Sequence, residues 1–161
     1  AQTQEIPAMN QLMQWLPKNM PNDDTTSIVH GDYQLYNMMF HETEPRCTAV
    51  LDWELSTLGN PMADLAYNSM KYHEVFNGKP FEPTDGIPDE SEVVEEYCRL
   101  TGRQNIENWN FCLAFSFFRL ASICQGVYKR GLDGNASSAS ALQNKSKVTD
   151  CADAAWRIAN R

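Results

Sequence analysis

Positive charge is scarce in this sequence, and histidine is scarcer. Its 161 residues hold 13 Lys and Arg against 21 Asp and Glu, a formal net charge of -8, with only three His. Nucleic acids and anionic membrane surfaces are met by clustered Lys and Arg, so neither is an expected partner. An acidic balance suits cationic partners, or a site that holds metal ions. Cysteine occurs five times, at Cys47, Cys98, Cys112, Cys124 and Cys151, but never as Cys-x-x-Cys. The odd count and the missing pairs argue against a zinc site or a disulfide framework. Several of these cysteines sit in apolar stretches, where Cys acts as a small hydrophobe. A cytoplasmic or other reducing compartment is therefore expected. No apolar run approaches the length of a membrane span, so none is expected. The opening Ala1-Gln2-Thr3-Gln4-Glu5 lacks the basic-then-apolar order of a signal peptide.

What is present suits one domain with its own core, since 42% of the residues are hydrophobic and 21% charged. Met9, Leu12, Met13 and Leu16 space an apolar stripe along a helix over Ala8 to Leu16. Pro17, Pro21 and Asn22-Asp23-Asp24 should end it. Short strands are expected at Ser27 to His30, at Asn37 to Phe40 and at Cys47 to Leu51, with a hairpin loop over Glu42 to Arg46. Helices follow: one from Pro61 through Met70, one opened by Ser91 and stopped at Gly102, and a long apolar one from Trp109 to Arg130. A loop is expected over Gly78 to Pro88. Gly131, Gly134 and Ser137-Ser138 should break the chain before a last helix from Ser140 towards Ile158. The fold class is α+β, mostly helical, with one small β meander followed by a helical bundle.

Three polar residues fall where these strands end or begin: Asp32, Asn37 and Asp52. Strand-end loops hold carboxylates in place while leaving them open to a ligand. Phosphoryl transfer needs a group that accepts or orients the proton of an attacking hydroxyl, and oxygen ligands that hold Mg²⁺ against nucleotide phosphates. An Asp, four residues, an Asn and a later Asp form the kinase pattern for that task. Asp32 takes the place of the base or orienter. Asn37 offers a neutral carbonyl oxygen to Mg²⁺, and Asp52 a charged one. His-Gly-Asp alone would read as a turn, and the combination with Asn37 and Asp52-Trp53-Glu54 carries the signal.

Through Ile28-Val29-His30-Gly31-Asp32 and Val50-Leu51-Asp52-Trp53-Glu54 the sequence resembles the aminoglycoside phosphotransferase-like (choline kinase-like) kinases. Within them it is most similar to the kinase-like domain attached to some acyl-CoA dehydrogenases. Leu51 through Thr57, Gly59, Pro61, Asp64-Leu65-Ala66 and Gln125-Gly126-Val127-Tyr128 carry that likeness. The resemblance implies a protein-kinase-like C-terminal lobe, ATP as co-substrate, Mg²⁺, and transfer to a hydroxyl of a small molecule. It implies a catalytic Asp32, with Asn37 and Asp52 as the metal and cofactor ligands. His30 and Asp64 would support the catalytic loop, Asp64 by tying down its backbone. A hydroxyacyl-CoA or another metabolite is the implied acceptor, with an aminoglycoside-like compound as the competing one. An acyl-CoA dehydrogenase domain or partner is implied as well.

The family pattern is not matched everywhere. Relatives commonly carry Arg at the position of Gln34 and Asp at that of Tyr36, and both charges are missing here. No Gly-x-Gly-x-x-Gly or Walker-type loop occurs, and the stretch before Ser27 is too short for an ATP-gripping N-terminal lobe. The chain is therefore expected to be the C-terminal, catalytic lobe over residues 1–161, with the other lobe elsewhere in a longer protein and little turnover without it. A non-catalytic, pseudokinase-like binding module is the alternative, and a metal-dependent hydrolase is disfavoured by the few histidines. Glu54 could reach the metal through water. Arg119, set among Phe117, Phe118 and Leu120, should have an internal acidic partner, snorkel to the surface, or contact an anionic substrate group. Trp109, Phe111, Phe115 and Phe118 are expected in the core, and His41 and His73 at the surface.

Overall fold

The computed structural model describes residues 3–73, 84, 86–136 and 139–161. Most of the expected loop over 78–88, and Ser137-Ser138, lie outside these residues. Helix α1 (Pro7–Lys18) opens on Pro7, whose fixed φ suits the first turn. It buries Ala8, Leu12 and Leu16, one face at a spacing of four. Met13, expected on that stripe, is 54% exposed. Pro17 lies inside the last turn instead of ending it.

The expected β meander is resolved into two separate ribbons. Strand β1 (Ser27–Val29) pairs antiparallel with β4 (Thr57–Gly59), Ile28 opposite Leu58. Strand β2 (Met38–Phe40) pairs antiparallel with β3 (Cys47–Val50), with an irregularity between Met39 and Phe40. Leu35–Asn37 form a 3₁₀ turn, so Asn37 precedes β2 instead of opening it. Strand β4 was not expected. Three residues ending at Gly59 are too few to show alternation, and they become a strand only by pairing with distant β1.

Helix α2 (Met62–Ser69) follows Pro61 and runs into a 3₁₀ turn at Met70–Tyr72. Helix α3 (Glu90–Thr101) starts one residue before Ser91. Asp89 is its cap, in a box with Glu92, and Gly102 ends it in the left-handed conformation. Helix α4 (Trp109–Leu132) continues through the expected break at Gly131, where the backbone meets Ala141 closely. A 3₁₀ stretch, Ala139–Gln143, precedes α5 (Asn144–Ala159), so the last helix begins later than expected.

One core joins α1, α2, α4 and α5, through Leu12, Ala66, Leu113, Phe117, Ala121, Val148, Ala152, Ala155 and Ile158. By length and composition alone α4 could cross a bilayer, contrary to the expectation that no run is long enough. In this fold it is the central helix, with Ala114, Phe117 and Ala121 fully buried. The four expected core aromatics divide. Phe118 and Trp109 pack on the core, and Phe111 stacks on Trp15 at 5.9 Å. Phe115 is 42% exposed. His73 is not a surface residue: its Nε2 lies 2.9 Å from Glu90 Oε1, and its ring meets Phe117 edge-on. The Trp109 indole donates to the same oxygen, so Glu90 ties the start of α3 to α4.

Candidate functional site

Strand β1 carries buried Val29 into buried His30, and Gly31 then turns the chain at φ +85°. A Cβ at Gly31 would lie 2.7 Å from the carbonyl oxygen of Leu55, so the turn and the 53–55 segment touch backbone to backbone. Asp64, in the first turn of α2, accepts the His30 amide at 2.6 Å and the Gly31 amide at 2.9 Å. One carboxylate thus satisfies two amides that no strand partner reaches.

His30 is used at both ring nitrogens. Nε2 lies 2.7 Å from the Leu51 carbonyl, and Nδ1 is 3.2 Å from the Asp32 amide. A carbonyl only accepts and an amide only donates, so the ring proton sits on Nε2. The ring also packs on Trp53 at 4.7 Å. Leu51 in turn donates to the Asn37 carbonyl at 2.8 Å. Asp52 therefore follows directly on a residue held from both sides.

Asp32 is half-buried, and each of its carboxylate oxygens has an amide donor. Gln34 Nε2 reaches Oδ1 at 2.6 Å, and Asn37 Nδ2 reaches Oδ2 at 2.9 Å. Asn37 Nδ2 also donates to the Asp32 carbonyl at 2.8 Å. Both partners are acceptors, so the amide nitrogen must face them, and Asn37 Oδ1 is turned away with no partner among the described residues. That oxygen is what a hard cation requires. Asp52 sits at φ 68° and ψ 49°, at the end of β3. It is exposed, as is Glu54, and neither carboxylate is hydrogen-bonded among the described residues. Those residues contain no cluster of three or more His, Cys, Asp or Glu able to hold a metal alone. Two oxygen ligands completed by water and phosphate are, however, the usual lot of Mg²⁺, so Asn37 and Asp52 fit it.

Two findings were not anticipated. Arg119 does not have the expected acidic partner among the described residues. Its Nη2 donates to the Gly31 carbonyl, and its guanidinium lies 5.2 Å from the centre of the Tyr67 ring. Tyr67 was not singled out at all, yet its ring is the face on which the Arg119 guanidinium lies. Burial, and then the Asp32 charge, push that phenol up to about 12. The available signal was its spacing: Tyr67 is three residues after Asp64 on α2, and so on the same face. Gln34, Tyr36, Tyr67, Asn68 and Lys71 line a groove of 190 Å³ that shares Gln34 and Tyr67 with the surroundings of Asp32.

Residues 1–84 match the sequence profile of the phosphotransferase enzyme family, APH. The chain belongs to that family. It is 46% identical over 170 residues to acyl-CoA dehydrogenase family member 10 of Mus musculus, a match covering 100% of this chain and 16% of that protein. It is 44% identical over 165 residues to acyl-CoA dehydrogenase family member 11 of Homo sapiens, covering 98% of this chain and 21% of that protein. A crystal structure from Ralstonia eutropha JMP134, provisionally described as an aminoglycoside phosphotransferase, superposes with a TM-score of 0.88 at 49% identity. That match covers 99% of this chain and 50% of the other. The phosphotransferase fold and the likeness to acyl-CoA dehydrogenase relatives, both implied by the sequence resemblance, are borne out. The chain spans about a fifth of the curated relatives' length.

Proposed function

We propose that this chain is the catalytic lobe of a phosphotransferase that moves the γ-phosphoryl group of ATP to a hydroxyl of a small molecule, with Mg²⁺. The observation that carries the reading is the arrangement at Asp32: a carboxylate aimed by two amides, beside an outward Asn37 carbonyl and an unpaired, exposed Asp52. Asp32 orients the acceptor hydroxyl and takes its proton as the new O–P bond forms and the bond to the leaving β-phosphate oxygen breaks. Asn37 Oδ1 and the Asp52 carboxylate would hold the cation, and Glu54 would act on it through water. The metal supplies charge that offsets the negative oxygens of the phosphates. His30 and Asp64 fix the turn that carries Asp32.

The rest of the longer protein supplies the lobe that grips ATP. Ile28 and Leu58, facing outward from one ribbon at 68% and 72% exposure, offer it apolar surface. A dehydrogenase domain joined to the same chain is consistent with the names of the relatives, and it makes a hydroxyacyl group on CoA the preferred acceptor over an aminoglycoside-like compound. Five unpaired cysteines favour a cytoplasmic or other reducing compartment. The test uses the full-length protein with γ-labelled ATP, Mg²⁺ and a panel of hydroxylated acyl-CoA compounds. Asp32→Ala and Asp52→Ala should each lower transfer by about 10²- to 10⁴-fold. Transfer that survives both changes, or nucleotide binding with no transfer by the unmodified protein, would sink the reading.

A further inference from the structure

The longest reach into the catalytic turn comes from the core. Arg119 stands on α4, 88 residues from Gly31 in sequence, and donates to the Gly31 carbonyl. That oxygen belongs to the peptide unit that leads into Asp32. Asp64 holds the Gly31 amide, so the residue before Asp32 is gripped at both ends, from two different helices. No carboxylate lies within 4.0 Å of Arg119 among the described residues. A half-buried guanidinium without an ion pair costs desolvation, and here its compensation is one carbonyl and one aromatic face. The face is that of Tyr67, which shares a groove with Gln34, the donor to Asp32 Oδ1.

We propose that Arg119 is a positioning residue for Asp32, fixing the peptide that carries it, with the Tyr67 ring holding the guanidinium in place. A guanidinium can donate in its plane while stacking on a ring, whereas an ammonium cannot do both from one place. Arg119 couples the packing of α4 to the aim of Asp32. The kinetic half of the proposal rests on the phosphotransferase reading above, and the structural half does not.

The experiment compares full-length wild type with Arg119→Met, Arg119→Lys and Tyr67→Phe. Amide hydrogen exchange is measured without ligand, and ATP turnover is measured with water as acceptor. In Arg119→Met the segment Val29 to Tyr33 should exchange about tenfold faster, while α4 segments and Tm stay close to wild type. Arg119→Lys should fall between the two, and Tyr67→Phe, which keeps the ring under Arg119, should leave exchange unchanged. Turnover should fall about 10- to 100-fold in Arg119→Met, with KM for ATP within about twofold, as misplacement of a reacting group requires. A merely structural Arg119 would loosen α4 and lower Tm with no excess at Val29 to Tyr33, and that result overturns the proposal. Unchanged kcat in Arg119→Met of an active enzyme overturns it as well. If local exchange responds as stated but wild type and Asp32→Ala are equally inert, the phosphotransferase reading fails and the hold on Asp32 stands.

Discussion

Gly31→Ala places a methyl group against the backbone of Leu55. Gly31 has φ +85°, and an added Cβ would lie 2.7 Å from Leu55 O and 3.1 Å from Leu55 Cβ. Two costs add. Left-handed backbone at an alanine costs about 1–2 kcal/mol. Crowding a packed contact costs about 1–3 kcal/mol. Gly102→Ala is the control, because Gly102 has φ +70° and an added Cβ there would meet nothing within 4 Å. It should carry the backbone cost alone. For a domain of this size each kcal/mol shifts Tm by about 2–4 °C, so Gly31→Ala should lower Tm by about 4–20 °C and Gly102→Ala by about 2–8 °C. Thermal and urea unfolding followed by circular dichroism read both variants on one scale. Equal losses would refute the claim that Leu55 closes on the turn, and with it the account of why a glycine stands before Asp32.

Asp64→Ala strips the acceptor from the His30 and Gly31 amides, and should cost about 2–4 kcal/mol in urea unfolding, with Asp64→Asn in between. A loss below about 1 kcal/mol would mean that these amides find other partners. Cys47 is exposed, whereas burial pushes the thiols of Cys112 and Cys151 up to about 11 and about 12. Iodoacetamide at pH 8 should therefore label Cys47 first in the native protein, and mass spectrometry showing Cys112 or Cys151 labelled as fast would contradict that packing. Hydrogen bonds from the Thr25 side chain, Asn60 and the Thr25 amide hold Asp23 at about 2, below its ordinary 3.8. A depressed folded-state value means stability that is present above about pH 3.8 and lost as pH falls through about 2. Asp23→Asn should flatten the decline of Tm over that window, and an unchanged slope would show that Asp23 is as free folded as unfolded.

The sequence made the site legible to the extent that its residues are close in the chain. Asp32 and Asn37 are five apart, and their spacing alone places an amide on a carboxylate. Asp52 could be read because β3 delivers it, and α1 and α4 because apolar stripes and runs announce helices. The contacts that cross the chain left no such mark. Nothing near Thr57 signals that Thr57–Gly59 will pair with Ser27–Val29, and so turn one meander into two ribbons. Arg119 looked like a charge in search of a carboxylate, because a sequence shows side-chain charge and not a backbone carbonyl 88 residues away. Gln34 looked like a lost cation. In the fold its amide does the local work of aiming Asp32 Oδ1, which needs a donor and not a charge.

Asp52 is the one non-glycine residue with positive φ among those described, at 68°. A side chain there costs about 1–2 kcal/mol, less for Asp than for a branched residue. For folding alone, glycine would be the better occupant of position 52. Selection for thermal robustness and selection for turnover would therefore pull this position in opposite directions. A designer who idealised the turn by removing its strain would, in the proposed reading, discard the carboxylate that the strain presents to the cation.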